Sequence, residues 1–342
     1  MCVFFEKMIK FLHDLHYFLF KFLSLFKYLN HTKIKMKMDK KALRRTIIYE
    51  SDEKLETSWI ANNSISHDFS DGKGIILLKG SVTKIGDMAF DDCAMTSIII
   101  PPVVTRIGEA AFRWCQSLVS VSIPNSVTEI CDEAFQYCSF LKSVEIPETV
   151  TKIGNYAFCN CTRLASVNIP SKITKIGNYT FFGCAFSSID IPETVTSIGH
   201  EAFGMCSNLT SLVLPDSVKH IYGCAFECCT SLENVTLSES LERIPYGMFR
   251  ECNNLISIEI PDSVKSIGWG AFSGCSRMGA VTFGKSVTKI GSGAFGDCSG
   301  LFLFELPDSV TQIGGSAFEG CGMLPRKARE KILAIEKNAM QG

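Results

Sequence analysis

Cysteine is the residue type with the most chemical reach in this chain. Sixteen thiols among 342 residues could bridge in pairs, hold zinc or act as nucleophiles. Spacing decides between these. Cys93, Cys115, Cys138, Cys161, Cys184, Cys206, Cys229, Cys252, Cys275, Cys298 and Cys321 each stand three residues after a phenylalanine. They occupy one repeated position and are not a set of spaced pairs. Side chains in register along a stack point the same way, which is poor geometry for a bridge, and a metal needs ligands converging from several directions. The column therefore reads as small buried side chains carrying a weak S–H donor. Cys159 with Cys161, and Cys224 with Cys228 and Cys229, depart from the column and resemble metal spacing only weakly, with no histidine to complete a set. No metal and no cofactor is expected.

Two other chemical signals are weaker still. Gly291, Gly293 and Gly296 spell G-x-G-x-x-G after a strand-like run, the pattern of a dinucleotide site. No other copy of the same segment carries all three glycines and no long helix follows, so the motif reads as repeat drift. His13, His16, His31, His67, His200 and His220 are the only histidines. No Ser-His-Asp or Cys-His arrangement is legible, and no enzyme or small-molecule substrate is expected. A net charge of −1 gives no overall field favouring nucleic acid.

The elements that position these residues repeat. The pattern V-T-x-I-G-x-x-A-F-x-x-C-x-x-L-x-S-V-x-I-P-x-S recurs, its Phe falling at 90, 112, 135, 158, 181, 203, 226, 249, 272, 295 and 318, in steps of 23 or 22 residues. A fixed period in this range marks a solenoid, each unit burying its apolar face against its neighbours. In one copy Val121 and Ile123 alternate with Ser120 and Ser122, a half-buried strand that Pro124 ends. Val127 and Ile130 read as a second extended piece. Ala134, Phe135 and Cys138 then read as a short helical turn. Phe112, Phe135, Phe158, Phe203 and Phe226, with Cys115, Cys138 and Cys161, are expected to form buried ladders, ring above ring near the roughly 4.8 Å strand spacing. Glycine follows the Ile of the second piece at most copies, but Pro245 stands there once. Its unit also has Ser238, Leu241 and Met248 at consensus Pro, Val and Ala positions, and is the expected irregular coil.

The ends differ. Residues 1–40 contain no repeat. Phe4, Met8, Phe11, Leu15, Leu19, Phe22 and Phe26 step along one helical face, so membrane contact is conceivable only through residues 1–30. The preferred reading is translated A/T-rich sequence upstream of a start at Met36 or Met38. Charges interrupt any export signal or span. Residues 41–72 read as an N-terminal cap with a strand at Thr46–Glu50 and a turn at Asp71-Gly72, after which Ile76 and Leu78 would begin the stack. Residues 73–324 are the repeats, and 325–342 a capping helix with Ala328, Ile332, Ile335 and Ala339 on one face.

The repeat L-x-x-V-x-I-P-x-S-V-T-x-I-G-x-x-A-F-x-x-C resembles the BspA-like, or Treponema-type, class of leucine-rich repeats. The resemblance implies a β-rich right-handed leucine-rich-repeat coil with parallel strands on a concave face. It also implies a binding or adhesion role, often at a microbial surface. The absence of an export signal points instead to the cytoplasm, and both locations stay open.

Because the inward columns barely vary, information must lie outward. Between the two inward strand positions stand Glu145, Asp190, Glu259 and Glu305, and one step past the strand-ending Pro position stand Asp216, Asp262 and Asp308. Lys84, Arg106, Lys152, Lys175, Arg243 and Lys289 lie on the second extended piece. Acid on the strand face and base on the back favour a protein partner of basic character. Solubility alone also explains polar outward positions, and a structural or self-associating spacer array is the alternative.

Overall fold

A computed structural model of the chain describes residues 40–339. The chain divides into two compact units, Met1–Leu43 and Arg44–Gly342. Of the first, only Lys40–Leu43 is described, as a short helix, and the readings made above for residues 1–40 fall otherwise outside the described residues. Among the described residues no helix is long and apolar enough to cross a membrane.

The described part of Arg44–Gly342 is a parallel-strand solenoid preceded by a short antiparallel segment. All coils but one have a front strand such as Ser211–Val213, and each has a two-residue back strand such as Lys152–Ile153 and a turn segment around its Phe. The Phe column is a continuous interior stack. Successive centroids from Phe90 to Phe318 lie 5.1–5.7 Å apart with rings within 18° of parallel. The spacing exceeds the strand separation because stacked rings prefer offset geometry.

The thiol column has a definite partner. Each Cys from Cys115 to Cys321 donates its S–H to the carbonyl of the Phe in the preceding coil, at 3.0–3.3 Å. That carbonyl already accepts the backbone N–H of its own coil's Cys where such a bond forms, as Phe203 does from Cys206 at 3.3 Å. The thiol takes the second lone pair. Buried carbonyls are thus satisfied without a bulky side chain. All cysteines from Cys93 to Cys321 are free thiols.

The turn segments are runs of tight turns whose conformation is not visible in the consensus. In every coil the residues two before and two after the Phe are left-handed, as at Met88 and Asp92, Ala110 and Trp114, Glu133 and Tyr137. This costs a non-glycine residue roughly 1–2 kcal/mol. The compensation is in the hydrogen bonds. The left-handed residues turn every second N–H toward the next coil: Ala110, Phe112 and Trp114 donate to Asp132, Ala134 and Gln136. The intervening N–H groups, such as those of Ala111, Arg113 and Cys115, close turns within the coil. The three-bond pattern repeats at every junction from Phe90 to Phe318.

The strand ladders, by contrast, are interrupted. The back ladder breaks between His220–Ile221 and Arg243–Ile244. There Pro245 replaces the residue whose N–H would bond the Ile221 carbonyl, as Gly268 N–H does to Ile244. This is the coil the sequence marks as irregular. Ser238 is fully buried in it and donates to Val218 at 2.7 Å, and in the next coil the Ser263 hydroxyl is left without a partner. A further back break, between Ile153 and Ile176, has no such substitution to explain it.

The two 22-residue steps have one cause. Cys93-Ala94-Met95 and Cys184-Ala185-Phe186 each have one residue fewer between Cys and the next core side chain than Cys115-Gln116-Ser117-Leu118. A longer side chain takes the place of the usual Leu: Met95 and Phe186 are both buried, and Phe186 packs edge-on against Phe181 at 5.7 Å. Around residues 188–191 no front strand forms, and the front ladder is broken on both sides.

The glycines of the G-x-G-x-x-G run have separate structural reasons. Gly291 has a close approach to the preceding coil, where a Cβ would lie 2.7 Å from the Gly268 carbonyl carbon. Gly293 is the left-handed residue of its turn, at φ +60°, with open space around a would-be Cβ. Gly293→Ala is therefore expected to cost about 1 kcal/mol from backbone conformation alone. Gly154→Ala, whose Cβ would meet the Asp132 nitrogen at 2.3 Å, is expected to cost more, about 1–3 kcal/mol from overpacking. Denaturant unfolding of the two variants checks the order.

At the N-terminal end, β1 (Thr46–Ser51), β2 (Ser64–Ser70) and β3 (Lys73–Leu78) precede the first back strand β4 (Lys84–Ile85) and front strand β5 (Met95–Ile99). Asp71 and Gly72, at φ 49° and 73°, make the two-residue β2–β3 hairpin turn. The sheet order is β2-β3-β1-β5 followed by Ser120–Ser122. The expectation that Ile76 and Leu78 begin the stack is corrected: β1 lies between β3 and β5, antiparallel to both, with Ile47 opposite Ile76 and Tyr49 opposite Ile98. Helix α1 (Ser58–Asn63), capped by Thr57 Oγ1 accepting from Ile60 N–H at 3.2 Å, sets Trp59 against Phe90 at 5.6 Å. At the other end helix α2 (Arg326–Ala339) buries Ala328 and Ile332.

Candidate functional site

The strand-face acids divide into two groups. Glu145, Asp190, Glu259 and Glu305 are exposed, and the described structure gives their carboxylates no hydrogen bond or ion pair. Coils repeat at roughly 5 Å, so Glu145 and Asp190, two coils apart, are separated by roughly 10 Å, and Asp190 and Glu259 by roughly 14 Å. At a Debye length of about 8 Å these charges act nearly singly in physiological salt and jointly only in dilute buffer. Asn168, which stands between two of them in the column, is tied to the preceding coil: its amide accepts from Ile146 N–H and donates to the Ile146 carbonyl, both at 2.7 Å.

The corner acids are tied to the framework. Asp216 accepts from Glu239 N–H and Asp262 from Lys285 N–H, each at 2.8 Å. The backbone bond from Lys285 holds the Asp262 carboxyl below its ordinary range. Asp308 is bonded by Lys331 of α2, which lowers its pKa in the same way. These three pin successive coils or the terminal helix. They are exposed, but each already has a partner.

The front face has one shallow depression of note. A pocket of about 270 Å³ lies over the coil without a front strand, lined by Ser188, Asp190, Glu193, Ser211, Val213 and Pro215. Its wide opening suits a side chain of a docked protein better than an enclosed small molecule.

The back carries the expected cations, partly neutralised. Glu129 meets Arg106 at 3.2 Å and Lys152 at 2.8 Å, and the Lys152 hydrogen bond lowers the Glu129 pKa.

Sequence reasoning missed the turn face. From Gly86–Cys93 to Gly314–Cys321 the turn segments contain no lysine, and their only arginines are Arg113 and Arg250. Arg113 bonds Asp91 with two nitrogens, at 3.0 and 3.1 Å, and Glu133 at 2.9 Å. Arg250 is paired with Glu227. Asp and Glu are otherwise frequent there, as at Asp87, Asp92, Glu109, Glu201 and Glu251. The signal was available in the columns flanking the Phe, which carry acids without compensating lysine.

Aromatic side chains join them. Tyr156 stacks on Tyr179 at 4.6 Å, Tyr179 lies 5.5 Å from His200, and His200 lies 5.8 Å from Tyr246. The Tyr179 hydroxyl donates to Glu201 at 2.9 Å, and burial followed by this bond pushes its phenol up to about 12. The Tyr246 hydroxyl meets His200 Nε2 at 3.0 Å, reaching across the coil that holds Gly223. Only glycine leaves space for that ring, since a Cβ at Gly223 would fall 2.1 Å from it.

Among the described residues no group of His, Cys, Asp and Glu is arranged to hold a metal ion. Cys224 and Cys228 are left-handed turn residues and Cys229 belongs to the thiol ladder.

Residues 83–210, 174–302 and 267–342 match the BspA type leucine-rich repeat region, a region of six repeat copies. Among solved structures the chain is similar to a leucine-rich repeat protein from Bacteroides ovatus, at 26% identity over 80% of this chain and 81% of that one, TM-score 0.51. It is also similar to a leucine-rich repeat protein from Eubacterium ventriosum, at 23% identity, 71% and 82% coverage and TM-score 0.49. A leucine-rich cell surface protein from Faecalibacterium prausnitzii shares 26% identity over 77% of this chain and 85% of that chain, TM-score 0.37. No curated protein matches.

Proposed function

Since the chain belongs to the BspA-type leucine-rich repeat family, we propose that it is a non-enzymatic scaffold whose front strand face engages a protein partner of basic character. The coarser statement, an interaction scaffold, follows from the family. The finer one rests on a single observation: Glu145, Asp190, Glu259 and Glu305 are exposed and unpaired on an otherwise uncharged strand column, while Asp216, Asp262 and Asp308 are occupied as pins. The candidate binding set therefore narrows to the first four, with the pocket beside Asp190 as an anchor point. Residues 41–72 and 325–342 act in this reading as caps that cover the two ends of the stack. Adhesion is the form this role would take at a cell surface.

The fourfold reversal Glu145→Lys, Asp190→Lys, Glu259→Lys and Glu305→Lys tests the face. With a nona-lysine peptide as probe, affinity is expected to fall at least about tenfold at 10 mM salt and much less at 150 mM, as screening dictates. Equal affinity of variant and parent at low salt removes the strand face from the proposal.

A further inference from the structure

Arginine-rich segments are the partner chemistry best matched by a second surface, the aromatic and acidic turn face. We propose that the ridge running from Tyr156 through Tyr179, His200 and Tyr246 to Trp269 docks an extended, arginine-rich peptide segment of another protein. This reading shares only the sign of the partner's charge with the preceding one, and it stands if the strand face proves inert.

Three observations carry it. The first is the ridge itself. Its rings are linked at 4.6, 5.5 and 5.8 Å from Tyr156 to Tyr246, and Trp269 occupies the column of Tyr246 one coil further on. Tyr246 is 44% exposed and Trp269 55%. The same column holds Asp87, Glu109, Asp132 and Ser292 elsewhere, so aromatic residues are no requirement of the fold at this position. Exposed Tyr and Trp on a rigid support are the side chains from which binding energy is usually built.

The second is charge. The turn segments carry no lysine, and both of their arginines are bridged to carboxylates. Glu201 lies within the ridge and Glu251 on the turn between Tyr246 and Trp269. With both arginines paired, the uncompensated charge on this face is acidic, so a basic ligand is favoured over an acidic one.

The third is the molecule's own chemistry. Its guanidinium groups already sit over exposed rings: Arg250 over Trp269 at 5.8 Å and, elsewhere, Arg163 over Phe140 at 3.8 Å. Arginine is the cation that combines ring stacking with forked bonding to a carboxylate. At the 5.3–5.7 Å step of the underlying Phe stack the ridge extends roughly 28 Å, the reach of about eight extended residues.

The test uses the full chain and fluorescein-labelled nona-arginine, followed by anisotropy at 150 mM salt, where the sparse strand-face charges contribute least. Trp269→Ala together with Tyr246→Ala is expected to weaken binding at least about tenfold. Trp269→Phe with Tyr246→Phe, which keeps the rings and drops the hydroxyl bond to His200, is expected to stay within about threefold of the parent. Nona-lysine is expected to bind more weakly than nona-arginine. If the double alanine variant loses its fold, judged by denaturant unfolding, Trp269→Ala alone decides. That side chain is more than half exposed, and its loss is expected to cost about threefold. Parental affinity in the folded alanine variant overturns the proposal. So does loss of nona-arginine binding in the strand-face reversal variant, or competition by a neutral oligosaccharide such as cellohexaose.

Discussion

Denaturant unfolding across pH is expected to show a stability that is level up to about pH 8 and collapses above about pH 9. The cause is the thiol ladder. Burial raises the pKa of Cys138, Cys161, Cys184, Cys206, Cys252 and Cys275 above the ordinary thiol value. Cys229 is raised as well, by its contact with Cys252 and then by burial. An unfolded thiol ionises near 8.5. Below that pH both states hold the proton and the ladder's contribution is fully present. Above it the unfolded chain has released protons that the folded one retains, so stability falls with rising pH. Each such thiol contributes a slope of about 1.4 kcal/mol per pH unit. Seven acting together remove on the order of 10 kcal/mol by about pH 9.5, comparable with the whole stability of an ordinary domain. Cys206→Ala is expected to reduce the slope by one thiol's share while lowering stability at neutral pH. A level profile to pH 10 would show that the thiols are not held protonated in the interior.

What was legible in the sequence was whatever repeats inward. The Phe column could be read because a ring needs the same neighbours above and below in every coil, so each copy carries it. The Cys column was readable as buried, though not the carbonyl it serves. A hydrogen bond to a backbone atom leaves no mark on a second side chain, and Phe203 O accepting from Cys229 is invisible in the residue at 203. Pro245 was legible as a disturbance because proline lacks the one group the ladder needs there. The left-handed turn positions were hidden for the opposite reason. Trp114, Tyr137, Glu201, Cys224 and Gly293 share one backbone conformation with no common chemistry. The conformation is imposed by the junction ladder and overrides the residue preference.

The candidate site was half visible for a related reason. The sequence showed which positions face outward but not which outward carboxylates already have partners. Asp262 and Glu259 look alike in the chain, three residues apart. In the structure one accepts from the Lys285 N–H and the other is unpaired. The turn face is not visible in a reading of these segments as a short helical turn. Runs of tight turns expose more side chains, and it is there that Tyr246 and Trp269 emerge.

Phe203→Ala is expected to be among the most damaging single truncations in the array. Phe203 is fully buried between Phe181 at 5.5 Å and Phe226 at 5.3 Å, and its carbonyl also anchors Cys229. Removing the ring leaves a cavity that the flanking coils cannot close, because the unbroken turn ladder holds them apart at a fixed step. The expected loss is about 3–5 kcal/mol. Phe318, at the end of the stack, is half-buried, with Phe295 on one side at 5.3 Å and Phe304 edge-on at 5.1 Å, so Phe318→Ala is expected to cost distinctly less. Coils interact only with their neighbours, and the central variant should therefore also change how the array unfolds. Amide exchange is expected to quicken in the coils of Phe181 and Phe226 while the coils of Phe112 and Phe295 keep their protection. Uniform quickening along the chain would mean that the stack behaves as one cooperative body, in which the ring at 203 is no weaker a point than any other.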